Sequence, residues 1–252
     1  MPKIIPVDFS QFKPTEFHSQ WVGTEETGIN GCFLIVTRVP PGTGTSAVHT
    51  HLGDQFYFIF DGDMNLQLAD QVLKATKDDL IYIPTAVPHK NFNTSDRDEI
   101  HWEFIVPGAF PGLARSYRAQ WPEFELKEAV NDHYVRHLDR TKFDKFETSH
   151  VTMASYATGS HHCRIDIVNV PAGKGGGDIY VTPYDEVFYT MTGEQVFTIG
   201  RERHTIAPNT YVFVEAGVPH TFLNTSNEAA THIQVQVPEG PRTDMTIPVR
   251  MD

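Results

Sequence analysis

The segment His49–Gly62, HTHLGDQFYFIFDG, brings together two histidines one residue apart, a glutamine, an aromatic run and a closing glycine. In an extended chain alternate side chains share a face, so His49 and His51 point together, as do Gln55 and Tyr57. Leu52, Gly53 and Asp54 form a turn between the two pairs. A third histidine, His89, follows the strand-like Leu80–Ile83 and the rigid turn Pro84–Pro88, and reaches the same face from a neighbouring strand. Three imidazoles and one amide oxygen around a point suit a divalent first-row ion, namely Fe, Mn, Co, Ni, Cu or Zn.

The pattern is written twice. Sliding the chain by 131 residues pairs Cys32 with Cys163, Gly62 with Gly193, His89 with His220, His101 with His232 and Asn93–Ser95 with Asn224–Ser226, without a gap. Residues 8–107 against 139–238 give 21 identities in 100 pairs, where ordinary composition gives roughly six. The chain is therefore a duplication, expected as one domain over residues 1–130 and another over 131–252.

Each copy carries short runs of aromatic and β-branched residues between Gly, Pro, Asn and Asp turns, the signature of an all-β sandwich or barrel. The expected strands are Cys32–Val39, Gln55–Phe60, Leu80–Ile83 and Ile100–Val106, with partners Cys163–Val170, Glu186–Met191, Tyr211–Val214 and Thr231–Val237. Helix is expected only in the 109–135 connector, over Arg115–Gln120 and Pro122–Val130, with Trp121 and Phe124 as apolar anchors.

Composition narrows the function. The 252 residues carry a formal charge of -12, which argues against nucleic acid as a partner. No run approaches the roughly 18 apolar residues of a membrane helix, and the N-terminal stretch lacks a secretory core, so a soluble cytoplasmic protein is expected. Cys32 and Cys163 alone make no disulfide framework and read as buried small apolar residues. Gly173–Gly177 lacks the ending of a phosphate loop and reads as a strand turn.

With these residues on the page, His49-x-His51, Gln55, Gly62, Pro88-His89 and Asn93 resemble the two motifs of the cupin superfamily, and the duplication resembles its bicupins. The similarity covers residues 30–107 and 161–238. It implies two tandem jelly-roll barrels, a metal held in the first by His49, His51, the residue at 55 and His89, and burial of an edge strand in a homodimer. Most members carry glutamate where this chain has Gln55. A neutral shell leaves more of the ion's positive field for an anionic substrate, and Gln55 cannot act as a base. Glu103, His101 and Tyr57 are the acid–base candidates.

The second copy has Tyr180, Thr182 and Glu186 where the first has His49, His51 and Gln55, and keeps only His220. Metal is not expected there, and Glu186, His220 and Tyr180 are expected to form a hydrogen-bonded cluster in its place. Phe56, Tyr57, Phe58, Phe60, Phe92, Trp102 and Phe104 surround the first site, which favours a small organic substrate. No arginine other than Arg38 lies near the ligands in sequence. The leading expectation is a dioxygenase using Fe(II) or another divalent ion and O₂ on a hydroxy-ketone, diketone or phenolic compound. A Lewis-acid isomerase or lyase, and a non-catalytic small-molecule-binding bicupin, are the alternatives.

Overall fold

Strand begins where the alternating and aromatic-rich runs begin, and the computed structural model places every expected strand to within one residue. It describes residues 3–108, 112–120, 127–128, 133–239 and 247–249. The strands are β1 (Lys3–Pro6), β2 (His18–Gly23), β3 (Phe33–Val39), β4 (His49–Thr50), β5 (Asp54–Asp61), β6 (Asp63–Leu68), β7 (Gln71–Thr76), β8 (Asp79–Ile83), β9 (His89–Phe92), β10 (Glu99–Val106), β11 (Tyr117–Arg118), β12 (Lys127–Glu128) and β13 (Val135–His137). The second copy continues with β14 (Ser149–Ala154), β15 (Arg164–Val170), β16 (Tyr180–Val181), β17 (Asp185–Thr192), β18 (Gln195–Ile199), β19 (Glu202–Ile206), β20 (Thr210–Val214), β21 (His220–Leu223), β22 (Ala230–Val237) and β23 (Ile247–Pro248).

The chain divides into two units, Asp8–Leu138 and Asp139–Asp252, the latter joined by the first seven residues. In the first, the sheets run β13-β8-β5-β10-β3-β2 and β11-β4-β9-β6-β7-β12; in the second, β1-β20-β17-β22-β15-β14 and β19-β18-β21-β16-β23. Each unit is thus a two-sheet jelly roll, and among the described residues no ladder closes it into a continuous barrel. Its two sheets share an apolar core: Tyr57, Ile59, Ile81 and Ile83 meet Leu66, Leu68 and Leu73 in the first unit, and Phe188, Val168 and Val212 meet Phe197, Ile199 and Phe222 in the second.

The identities between copies fall where the backbone needs a particular side chain. Asn93 Nδ2 donates to Val39 O at 2.8 Å and Arg97 O at 2.7 Å while its Oδ1 accepts from Ser95; Asn224 does the same with Val170 O, Glu228 O and Ser226. These bonds satisfy buried carbonyls at the loop before β10 and β22. Gly62 adopts φ +84°, and a Cβ there would meet Asp98 O at 2.3 Å, so no other residue fits the β5–β6 turn.

Helix among the described residues is confined to four 3₁₀ turns at Phe9–Gln11, Glu25–Thr27, Arg140–Lys142 and Tyr156–Thr158. The helix expected over Arg115–Gln120 is absent: Tyr117–Arg118 is β11, pairing antiparallel with Thr50 and His49. Helix propensity there yields to the open edge of β4, whose backbone groups need partners. The expected helix Pro122–Val130, with Trp121 and Phe124, lies mostly outside the described residues, and its described part, Lys127–Glu128, is a strand parallel to β7.

Candidate metal centre

Two tethers deliver the third histidine to the first two. Asp54, beside Gln55 in the chain, accepts from Thr85 N and Oγ1 at 2.9 and 2.8 Å, and Ala86 N donates to His51 O at 2.9 Å. These three bonds clamp the Pro84–Pro88 turn against the histidine motif. β9 then emerges with His89 in register opposite His49.

One nitrogen from each of His49, His51 and His89 lies within 4.8 Å of the others. Each Nδ1 faces a backbone carbonyl, which only accepts, so each Nδ1 carries the proton: to Ala47 O at 3.1 Å, Arg115 O at 2.7 Å and Val87 O at 2.9 Å. The Nε2 lone pairs are left free, the tautomer a metal ligand requires. Burial lowers the pKa of His51 and takes that of His89 well below the ordinary value, so both rings stay neutral. Two buried atoms here have no protein partner, His89 Nε2 and Gln55 Oε1. An orphaned imidazole nitrogen and an orphaned amide oxygen fit a divalent cation, which satisfies both.

Gln55 turns its other end to Glu103, Nε2 donating to Oε1 at 2.5 Å, and Thr37 Oγ1 donates to Glu103 Oε2 at 3.1 Å. Burial pushes the Glu103 carboxyl up, but His101, His51 and the Gln55 bond outweigh it and hold it below the usual carboxylate range. His101 itself is fully buried. Its Nδ1 lies 2.9 and 3.0 Å from the two Glu99 oxygens, and its Nε2 3.8 Å from Glu103 Oε2. Burial works against the imidazolium, yet the Glu99 charge, reinforced by Glu103, raises His101 to about 9.

Glu103, His49, His51 and Tyr57 line a cavity of about 650 Å³, joined by Trp21 and Arg118. Of the three acid–base candidates, Glu103 and Tyr57 reach this cavity, whereas His101 stands behind Glu103 with the Tyr57 ring 4.5 Å away. Burial, followed by Glu103 and Glu99, raises the Tyr57 hydroxyl well above its ordinary pKa, so it remains a neutral phenol. Two residues escaped the sequence reading. Glu99 was legible in principle, since Glu99, His101 and Glu103 alternate on one strand and share a face. Arg118 had no local signal: it reaches the cavity because β11 pairs it with His49. Arg38, the arginine singled out from the sequence, instead bonds Asp98 and Pro14 O.

In the second unit the expected cluster of Glu186, His220 and Tyr180 comes together, but Tyr180 joins it by a ring contact and not by a hydrogen bond. His220 Nε2 stands 2.8 Å from Glu186 Oε2, Thr182 Oγ1 donates to the same oxygen at 3.2 Å, and the Tyr180 and His220 rings lie 4.5 Å apart. Gln234 Nε2 donates to Glu186 Oε1 at 2.7 Å. An imidazole–carboxylate contact stands at the positions where the first unit has its histidines and Gln55.

Comparison with known proteins agrees with this architecture. A variant of oxalate decarboxylase from Bacillus subtilis superposes with a TM-score of 0.70 at 14% identity, covering 94% of this chain and 78% of that one. AerE from Microcystis aeruginosa gives 0.67 at 13%, covering 94% and 96%, and a cupin 2 conserved barrel domain protein from Leptotrichia buccalis 0.62 at 11%, covering 92% and 95%. These likenesses establish the fold. No curated protein sequence matches. The cupin domain profile matches twice, over residues 35–106 and 166–235. With both copies matched and more than half its length covered, the chain belongs to the cupin domain family.

Proposed function

We propose that this protein is a metal-dependent enzyme acting on a small organic substrate that chelates the ion through paired oxygens, and that Glu103 is its proton acceptor. The reaction class we place first is dioxygenation of a hydroxy-ketone, diketone or phenolic compound. The observation that carries the reading is the convergence of three metal-competent imidazoles with a carboxylate held ionised at the wall of one cavity.

His49, His51 and His89 would hold the ion, with Gln55 Oε1 as the fourth donor. A divalent ion bound there, with Fe(II) first and Mn, Co, Ni, Cu or Zn as alternatives, supplies Lewis acidity and, when redox-active, electrons for O₂. The chain supplies the rest. Glu103, fixed by Thr37 and Gln55, accepts the proton that a chelating hydroxyl or activated carbon gives up. Tyr57 and Trp21 wall the cavity with apolar surface that keeps water from the deprotonated substrate. Arg118 adds a positive charge at the lining and favours a substrate that carries an anionic group.

A second reading, a Lewis-acid isomerase or lyase, is favoured by the neutral Gln55. With Gln55 uncharged, an ion held by His49, His51 and His89 would keep more of its positive field for an anionic substrate and would supply Lewis acidity without a change of oxidation state.

Elemental analysis of the purified protein, then oxygen uptake with candidate diketones and phenols under air and under argon, tests both. Oxygen consumed in step with substrate supports the dioxygenase. Turnover unchanged under argon supports the second reading, and protein that stays metal-free when supplied with transition ions overturns both.

A further inference from the structure

We propose that Glu99 and His101 are positioning residues, a buried charge pair whose work is to hold Glu103 as a fixed carboxylate at the cavity wall. This rests on the reading of the site as a metal centre with Glu103 as its base. The three residues alternate along β10 and share one face. Glu99 and His101 are completely buried and Glu103 is 7% exposed, at the cavity. Both Glu99 oxygens lie on one imidazole nitrogen, and the other nitrogen faces Glu103.

Burying two carboxylates and an imidazolium is unfavourable for a fold that has a cheaper solution, and the same chain shows one. At the positions equivalent to Glu99, His101 and Glu103, β22 carries Ala230, His232 and Gln234. His232 is equally buried, its Nδ1 lies 3.1 Å from Gln195 Oε1, and Phe188, Phe197 and Phe222 surround it. Burial alone takes it down to about 3. The jelly roll therefore accepts a neutral histidine at this point with no carboxylate beside it. At these three positions charge is present only in the unit that keeps the three imidazoles; the second unit carries its buried carboxylate, Glu186, on β17 instead.

The arrangement has a mechanical logic. Thr37 from β3 and Gln55 from β5 grip Glu103 from neighbouring strands, and His101 approaches from its own strand. The charges acting on His101 are those of Glu99 and Glu103, while Tyr57 covers it with a ring and Thr37 lies opposite it in register. Removing the Glu99 charge leaves His101 with one carboxylate instead of two, and the attraction that the imidazolium exerts on Glu103 across 3.8 Å, without a hydrogen bond, is weakened.

Nuclear magnetic resonance of metal-free protein labelled with ¹⁵N-histidine reads the pair directly, the His101 signals being assigned by their loss in His101→Asn. The expected result is a doubly protonated ring at pH 8 in the wild type and a fall of at least about one pH unit in its titration in Glu99→Gln. A ring already neutral at that pH, or unmoved by the substitution, overturns the proposal. The double variant Glu99→Ala with Glu103→Gln, the side chains native to the second unit, is the companion that keeps the test independent of the folding of Glu99→Gln. It is expected to fold with a thermal midpoint no lower than wild type, and a lowered midpoint would make the charges structural and sink the idea. With Co(II) alone as probe, Glu99→Gln should bind one ion per chain as wild type does while the pH dependence of its absorption spectrum shifts; an unshifted spectrum counts against the pair. Wild-type protein that takes up no Co(II) removes the metal reading instead, and leaves the ring titration to decide the pair.

Discussion

Gln55 and Glu103 are bonded side chain to side chain across β5 and β10, and the second unit makes the same bond with the two residues exchanged, Gln234 donating to Glu186. Each unit keeps one carboxylate and one amide at this pair of positions. In the first the charge stands at the cavity wall; in the second it stands on His220.

The exchange Gln55→Glu with Glu103→Gln moves the charge to the position beside the histidines while conserving the hydrogen bond. The double variant should fold, bind Co(II) or Zn(II) about 10-fold tighter or more, and lose about 10²–10⁴-fold in turnover as its base disappears. Calorimetric metal titration and product formation measure the two effects. Full turnover in the exchanged protein would strip Glu103 of its acid–base role.

Ligand removal should separate the two units. His49→Ala and His89→Ala should each drop metal content from one ion per chain to about a tenth or less under a chelating wash. His220→Ala should leave metal content unchanged but cost about 3 kcal/mol or more of stability, because Glu186 is left buried with its imidazole gone. Mass-spectrometric metal analysis and denaturant unfolding report these quantities, and loss of metal on removing His220 would mean that the second unit contributes to binding.

His101 and His232 occupy equivalent positions and titrate in opposite directions. His101, raised from 6.5 to about 9, keeps a proton that the unfolded chain releases, so its contribution is complete below pH 6.5 and lost as the pH climbs to 9. His232, lowered from 6.5 to about 3, stays neutral where the unfolded chain gains a proton, so the folded state is undisturbed above pH 6.5 and loses stability as the pH falls toward 3. Within each window the slope is about 1.4 kcal/mol per pH unit. Unfolding midpoints measured across pH should show His232→Gln flattening the acid limb and His101→Gln the alkaline limb; identical curves for both variants would contradict the opposed titrations.

Arg118→Gln should weaken binding of a small carboxylate such as malonate to the Co(II)-loaded protein about tenfold, roughly 1.4 kcal/mol, and leave binding of an uncharged diol unchanged. Spectroscopic titration of the cobalt site measures both. Equal losses for the two probes would show that Arg118 shapes the cavity rather than reading charge.

The sequence by itself determined the duplication, the strands and the histidine cluster, because each rests on a local signal. Runs of aromatic and β-branched residues between turn residues mark β3, β5, β8 and β10 to within a residue. The Asn93–Ser95 and Asn224–Ser226 identities mark loops whose backbone has one way of being satisfied, and His49, His51 and His89 flank turns that Asp54 and the prolines enforce. Tertiary structure decided the rest. The segment at 115–120 carries good helix formers, yet the unpaired edge of β4 takes it as a strand, and that pairing alone places Arg118 beside His49. The same histidine at 101 and 232 is charged in one unit and neutral in the other. The two rings are alike in sequence and in burial, and what separates them is whether carboxylates or phenyl rings surround them, a property of packing across strands that no single stretch of the chain contains.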